Sequence, residues 1–249
     1  RAVPARPARA LCDRLLRGGV VSPRGGGRPL GPWLWVAAAL SLGLSLTPWG
    51  ELVLYPFKLF TTWVHESAHA VMTLVVGGSV NSIAIEPDSS GLTQSMVPAQ
   101  RFLQGLVASA GYLGASVVGC LLLAATRVEK WARSILLGLG VAMLLSLVVW
   151  MRNLFGFGVV LAWGATLVTL SRKGSGSVSR FVVSLLAIQV ALNAVYDIRV
   201  LFLIEGAPSD AATMARLFLL PAGLWASAWM LGSVGLLGVT LWMTRVRKG

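Results

Sequence analysis

Five consecutive residues of this chain have the types and the spacing to hold a metal ion and to activate water. His65-Glu66-Ser67-Ala68-His69 follows the HExxH pattern, and the chain of 249 residues has only 2 histidines. On a helix, residues i and i+4 lie on one face, so both imidazoles can bind the same zinc ion, and the glutamate can act on zinc-bound water. We predict that His65 and His69 are zinc ligands and that Glu66 is catalytic. The alternative is an interior pair of hydrogen-bonded histidines with Glu66 as their partner.

The residues around this motif form a polar stripe on one side of the predicted helix. At ~100° per residue, Lys58, Thr62 and Thr73 fall in the same arc as the motif. The rest of the segment from Leu52 to Val76 is largely apolar. Exposing an ionisable group to lipid costs at least ~2.5–3.5 kcal/mol. The stripe should therefore face the interior of a helix bundle or a water-filled cavity.

Catalytic zinc generally has a third protein ligand besides water. The chain has no further histidine, so we expect a carboxylate, and Asp197 is the best candidate. It belongs to a second polar stripe at helical spacing, formed by Gln189, Asn193, Tyr196 and Asp197. The alternative is an interior carboxylate held by Asn193 or by a nearby arginine. Three other carboxylates should lie in turns or caps, satisfied by solvent or backbone amides: Glu86, Asp88 and Asp210.

The composition places these residues in a membrane. With 56% hydrophobic residues, 12% charged residues and a mean hydropathy of +0.76, the chain is too apolar for an ordinary soluble domain. We predict an all-α polytopic membrane protein of about six to seven transmembrane helices, without a separate soluble catalytic domain in these residues. The expected helices begin near Trp33 and then cover about 52–76, 99–125, 133–151, 153–171, 180–204 and 221–243.

Two shorter elements interrupt this series. Ile83 and Ile85 alternate with polar neighbours, residues 87–91 form a turn, and residues 92–96 can return as a partner strand. We therefore expect a short β-hairpin after the HExxH helix. A short amphipathic helix should run from Asp210, as its N-cap, to Leu220.

Small residues recur four positions apart in the helix at 99–125. Gly111, Ala115 and Gly119 form one such series, and Gly105 and Ser109 repeat the spacing nearby. Such a smooth side lets a neighbouring backbone approach closely. We interpret the pattern as helix packing.

The chain divides into a basic tail and a membrane domain. Residues 1–30 are rich in Arg, Pro and Gly, which predicts a disordered basic N-terminal tail, with a targeting peptide as the alternative. We expect residues 31–249 to form one transmembrane domain, which carries the predicted metal site. The net charge of +12 lies in the tail and at the ends of apolar runs, which favours contact with anionic lipid of the bilayer over nucleic acid. Cys12 and Cys120 lie in different environments, so we expect no disulfide.

The basic segments near residues 127–133, 172–180 and 245–248 are two crossings apart, so they should share the cytoplasmic side. The basic tail is three crossings from the first of them. Either one apolar run does not fully span the membrane, or the tail is placed by something other than charge.

The motif, the following Gly77-Gly78, the hairpin and a late membrane-embedded aspartate together resemble the site-2 protease family of intramembrane zinc metalloproteases, in particular its small bacterial membrane-only branch. The resemblance covers about residues 33–240. It implies hydrolysis of a peptide bond in or near the membrane, with His65 and His69 as ligands, Glu66 as the catalytic carboxylate and a late Asp as third ligand. The late motif of better-known members has Asn and Pro ahead of Leu-Asp-Gly, whereas residues 193–199 here lack that Pro and Gly.

We therefore expect a zinc metallopeptidase that cleaves a membrane protein or peptide, as a multi-pass protein of the bacterial cytoplasmic membrane. The hairpin either offers an edge to an extended substrate or closes the cavity. One alternative function is a non-proteolytic membrane protein that retains a zinc site for structure or partner binding. Another is a transporter or channel, which would also need intramembrane polar stripes.

Overall fold

The chain forms helices interrupted by one β-hairpin in the computed structural model, which describes residues 32–45, 47, 49–126, 131–201 and 209–246. Side chains at 32–35, 42, 45, 194–201 and 244–246 lie outside this description, as does the predicted disordered tail of residues 1–30. The order of elements is α1 (Pro32–Ser45), α2 (Gly50–Val75), β1 (Ser79–Ile85), β2 (Gly91–Met96), α3 (Arg101–Ala125), α4 (Ala132–Val149), α5 (Leu154–Lys173), α6 (Gly176–Leu201), α7 (Asp210–Phe218) and α8 (Ala222–Val246).

The prediction of an all-α polytopic membrane protein is confirmed. Among the described residues, 5 helices are long and apolar enough to cross a bilayer: α3, α4, α5, the Gly176–Asn193 part of α6, and the Ala222–Met243 part of α8. The expected count of six to seven also included α1 and α2, which are not among these five. The described part of α1 has 14 residues, a rise of ~21 Å against a hydrocarbon core of ~30 Å.

Helix α2 carries the HExxH motif and lies between the hairpin and the other helices. Phe60 is fully buried on its apolar side, and the indole of Trp63 donates a hydrogen bond to Ser146 Oγ on α4, 2.9 Å away. The helix ends at Val75 because Gly77 adopts φ +81°, a left-handed conformation that favours glycine. The Gly78 amide then donates to the Thr73 carbonyl at 2.8 Å and turns the chain into β1.

The predicted hairpin is present as two antiparallel strands, with Ile83 opposite Thr93 and Ile85 opposite Gly91. The outer edge of β1 is paired with the connection between α4 and α5. The Ile83 amide donates to the Trp150 carbonyl at 2.8 Å, and the Asn153 side chain exchanges two hydrogen bonds with the backbone of Ile85. Within the described part of the chain, the outer edge of β2 has no strand beside it.

A second apolar core, separate from the main one, holds the short helix α7 against α3 and α8. Its buried members are Ala108, Tyr112, Ala211, Met214, Ala226 and Trp229. On the other side of α3, Gly119 packs against the backbone of α6 at Ala191, as the small-residue pattern predicts. Helix α3 is therefore the common support of α2, α6, α7 and α8.

We predict that Asn153→Ala loosens the hairpin. Ile85 is fully buried, and loss of the side-chain amide leaves its backbone N–H and C=O without their partners, which costs ~1–3 kcal/mol per group. Hydrogen exchange measured by mass spectrometry should become faster over β1, and the thermal midpoint should fall. Asn81→Ala, at an exposed position of the same strand, is the control and should change neither quantity. Unaltered exchange of β1 in the Asn153 variant would contradict the assignment.

Candidate metal centre

The two imidazoles of the motif point to the same place. His65 Nε2 and His69 Nε2 are 3.0 Å apart, and the ring planes are inclined at 73°. His69 Nδ1 lies 2.7 Å from the Val107 carbonyl oxygen on α3. Because a carbonyl can only accept, Nδ1 carries a proton, and Nε2 is the ring nitrogen that can bind a metal. A backbone group of α3 thereby fixes the tautomer that a metal ligand needs.

The carboxylate beside both imidazoles belongs to Asp210. Its Oδ2 is 3.2 Å from His65 Nε2 and 3.2 Å from His69 Nε2. Burial alone would raise the pKa of this carboxyl, but hydrogen bonds and charge interactions with the two histidines lower that pKa well below its usual value. Asp210 is therefore ionised at neutral pH, the form in which a carboxylate binds a metal.

Asp210 reaches the site because it is not the N-cap that we expected. Ser209 is the N-cap of α7, with extended backbone angles and a hydroxyl that accepts a hydrogen bond from the Ala212 amide at 3.1 Å. The Asp210 side chain is thereby free to point toward α2. We expected Asp197 at this position. Its backbone lies in α6 and its side chain lies outside the described residues, so the geometry here supports Asp210.

The three groups fit a tetrahedral metal. Ligands at ~2.0–2.1 Å from a tetrahedral zinc ion stand ~3.3 Å from one another. The separations among the two imidazole nitrogens and the nearer carboxylate oxygen are 3.0, 3.2 and 3.2 Å. Two neutral nitrogens and one carboxylate oxygen are also a donor set that zinc accepts. No other group of three such side chains is found in the described residues.

Helix α3 touches the site through a glycine. A Cβ added at Gly111 would overlap Nε2 of both His65 and His69. On the next residue of the helix, the Tyr112 ring meets the His65 ring edge to face at 4.8 Å and stacks on Trp229 at 5.1 Å. The small-residue pattern of α3 thus predicted a close approach, but at Gly111 the neighbours are the imidazoles themselves.

Glu66 is turned toward the hairpin. The carboxylate accepts a hydrogen bond from Thr93 Oγ1 on β2 at 2.7 Å, and the side chain is buried. Thr62 and Thr73, from the same polar stripe, also contact the hairpin, through the Ser89 carbonyl at 2.7 Å and Ser95 Oγ at 3.3 Å. The predicted stripe therefore faces the interior in two directions: the histidines toward α3 and α7, and the other three side chains toward the hairpin.

Lys58 belongs to the predicted stripe but lies away from the histidines, with its Nζ 3.7 Å from Glu51 Oε1. Glu86 and Asp88 lie in the hairpin turn, as expected. Asp88 is exposed and accepts from the Ser90 amide at 2.9 Å, and its hydrogen bonds to Ser90 lower the pKa of its carboxyl.

The family model of the Peptidase M50B-like proteins matches residues 34–240. The chain belongs to this family. The match covers the HExxH helix, the hairpin and Asp210, and it confirms the resemblance to the site-2 protease family. No curated protein and no solved structure matches the chain.

Sequence reasoning missed four contributors to this M50B-like site: Asp210, Gly111, the Val107 carbonyl and Thr93. A signal existed for Asp210, because Ser209 directly before it is an equally good N-cap. Nothing in the local sequence marks the Val107 carbonyl or Thr93, whose roles arise from packing between distant elements.

We predict that Gly111→Ala abolishes metal binding. The new methyl group would take the space in which the two imidazoles converge, and neither α2 nor α3 can retreat without opening the core. Metal content by emission spectroscopy should fall to background. Gly138→Ala on α4, where an added Cβ meets nothing within 4 Å, is the control and should keep its metal. A fully metal-loaded Gly111 variant would contradict the site geometry.

Proposed function

We propose that this member of the M50B-like family is an intramembrane zinc metalloprotease that hydrolyses a peptide bond of a membrane-associated substrate, and that it resides in a bacterial cytoplasmic membrane. The observation that carries the proposal is the triangle of metal-binding groups formed by His65, His69 and Asp210. The buried Glu66 lies next to His65 on the helix that carries both histidines. Membership of a peptidase family and five apolar helices long enough to span a bilayer support it further.

In this proposal His65, His69 and Asp210 bind the metal, and Glu66 acts first as a general base and then as a general acid. A bound zinc ion would supply a Lewis acid that polarises the scissile carbonyl and makes water more acidic. The Glu66 carboxylate accepts the proton of the attacking water and delivers it to the leaving amine. Glu66 follows His65 directly, ~100° around the helix, and is not one of the three ligand groups, so its carboxylate can serve as a base.

The substrate is a membrane protein or peptide that is extended where it is cut. A helix entering the bundle must unwind near the site, and its freed amides then need partners. The outer edge of β2 can supply them by strand addition, because β1 is already paired with residues 150–153 on its own outer side. Thr93 places this strand directly beside Glu66.

We predict that Glu66→Gln retains zinc but loses cleavage of a membrane substrate. Glutamine keeps the size of the side chain and cannot accept the proton, which typically costs ~10²–10⁴-fold in rate. Metal content and cleavage should be measured on the same detergent-purified samples. His65→Ala serves as the comparison and should lose both. Retained proteolysis in Glu66→Gln would contradict the mechanism. A zinc-loaded wild type that cleaves nothing in a broad panel would favour the non-proteolytic alternative.

We further predict that Asp210, and not Asp197, is the third ligand. Asp210→Asn should lower zinc affinity, measured by chelator competition, by more than ~100-fold, because outer partners of metal ligands already contribute ~10–100-fold. Asp197→Asn is the matched variant and should keep the affinity of the wild type. If Asp197→Asn lost zinc affinity and Asp210→Asn kept it, Asp197 would be the third ligand instead.

A further inference from the structure

Strand β2 contacts the Glu66 side chain at two points. Thr93 Oγ1 is 2.7 Å from Glu66 Oε2 and 3.0 Å from the Glu66 carbonyl oxygen. Gly91 lies so close that an added Cβ would come within 2.6 Å of Oε1 and 2.7 Å of Cγ. One carboxylate oxygen therefore faces the Thr93 hydroxyl, and the other faces the backbone of Gly91.

Thr93 is the one side chain in the described structure that donates a hydrogen bond to this carboxylate. The hydroxyl has a single proton to share between its two acceptors, and the shorter contact is the one to Oε2. A glutamate side chain has three torsions and can adopt several rotamers. Burying its carboxylate without a hydrogen-bond donor would also cost free energy. The Thr93 bond removes that freedom.

The hairpin is itself held firmly enough to act as a support. From α2, the Tyr55 hydroxyl donates to the Pro87 carbonyl at 2.5 Å and the Thr62 hydroxyl to the Ser89 carbonyl at 2.7 Å. From the opposite side, Asn153 and residues 150–152 pair with β1. The position of Thr93 relative to α2 is thus fixed at both the turn and the far strand.

We propose that Thr93 is a positioning residue for the catalytic glutamate, so that the hairpin orients Glu66 in addition to bordering the cavity. The inference rests on the proposed function for the role of Glu66, while the contact between Thr93 and the carboxylate stands independently of it. Its distinguishing consequence is that the Thr93 hydroxyl, and not its methyl group or its bulk, is required.

Three variants separate these contributions. Thr93→Val keeps the shape and removes the donor, Thr93→Ser keeps the donor and removes the methyl group, and Ser95→Ala changes the same face of β2 away from Glu66. Thr93→Val should lower kcat by ~10–100-fold, because small displacements of a catalytic group cost about that much. KM and zinc content should stay at wild-type values. Thr93→Ser should restore kcat, and Ser95→Ala should leave it unchanged.

A second readout does not need activity. The chain has only 9 Asp and Glu residues, so the carboxylate infrared band of Glu66 can be isolated with ¹³C-labelled glutamate as the difference between wild type and Glu66→Gln. That band should shift in Thr93→Val and stay in place in Thr93→Ser and Ser95→Ala. The shift is expected even if the wild type cleaves no substrate, and that combination would overturn the proposed function while supporting the role of Thr93.

The role of Thr93 would be overturned by an unshifted band in Thr93→Val. It would also be overturned if Thr93→Ser lost as much kcat as Thr93→Val, since the variant that keeps the hydroxyl would then be no better than the variant without it. An equal loss in Ser95→Ala would indicate a general effect on β2 and would likewise reject the proposal.

Discussion

Burying a polar stripe inside an apolar helix bundle is the constraint on which the rest of this structure depends. His65, Glu66 and His69 lie on a helix whose other face packs in the main core, and each needs a polar partner because lipid and hydrocarbon side chains offer none. The partners come from three directions: a backbone carbonyl of α3, a carboxylate of α7 and a hydroxyl of β2. Two of these three partners come from elements outside the long helices: the hairpin supplies the hydroxyl, and the short helix α7 supplies the carboxylate.

Much of the fold could be predicted because the relevant signals are local. The 3.6-residue period placed the motif on a helix with its polar residues on one side, and long apolar runs predicted the spanning helices. Alternation at Ile83 and Ile85 next to a turn-forming segment predicted the hairpin. Each of these depends on neighbours within about one element, and the structure confirms the motif helix, the hairpin and five of the spanning helices.

The third ligand could not be predicted by the same means. Asp197 was favoured because it lies on a helix with other polar residues, whereas Asp210 was interpreted as a cap, a role that Ser209 fulfils instead. Local preference hardly distinguishes Ser from Asp at a cap. The second core determines which carboxylate lies at the site. Ala211 and Met214 of α7 pack there against α3, and this packing orients Asp210 toward α2. Gly111 shows the same limit: its small size predicted close contact but not the identity of the neighbour.

The distance along the chain between the two halves of the site bears on how the protein is made. Asp210 stands 145 residues after His65, and four of the helices that can cross the bilayer separate them. During synthesis the imidazoles leave the ribosome long before the carboxylate that completes their surroundings. The full constellation therefore cannot assemble until those four helices and Asp210 have been synthesised, and a chain truncated before Asp210 lacks it.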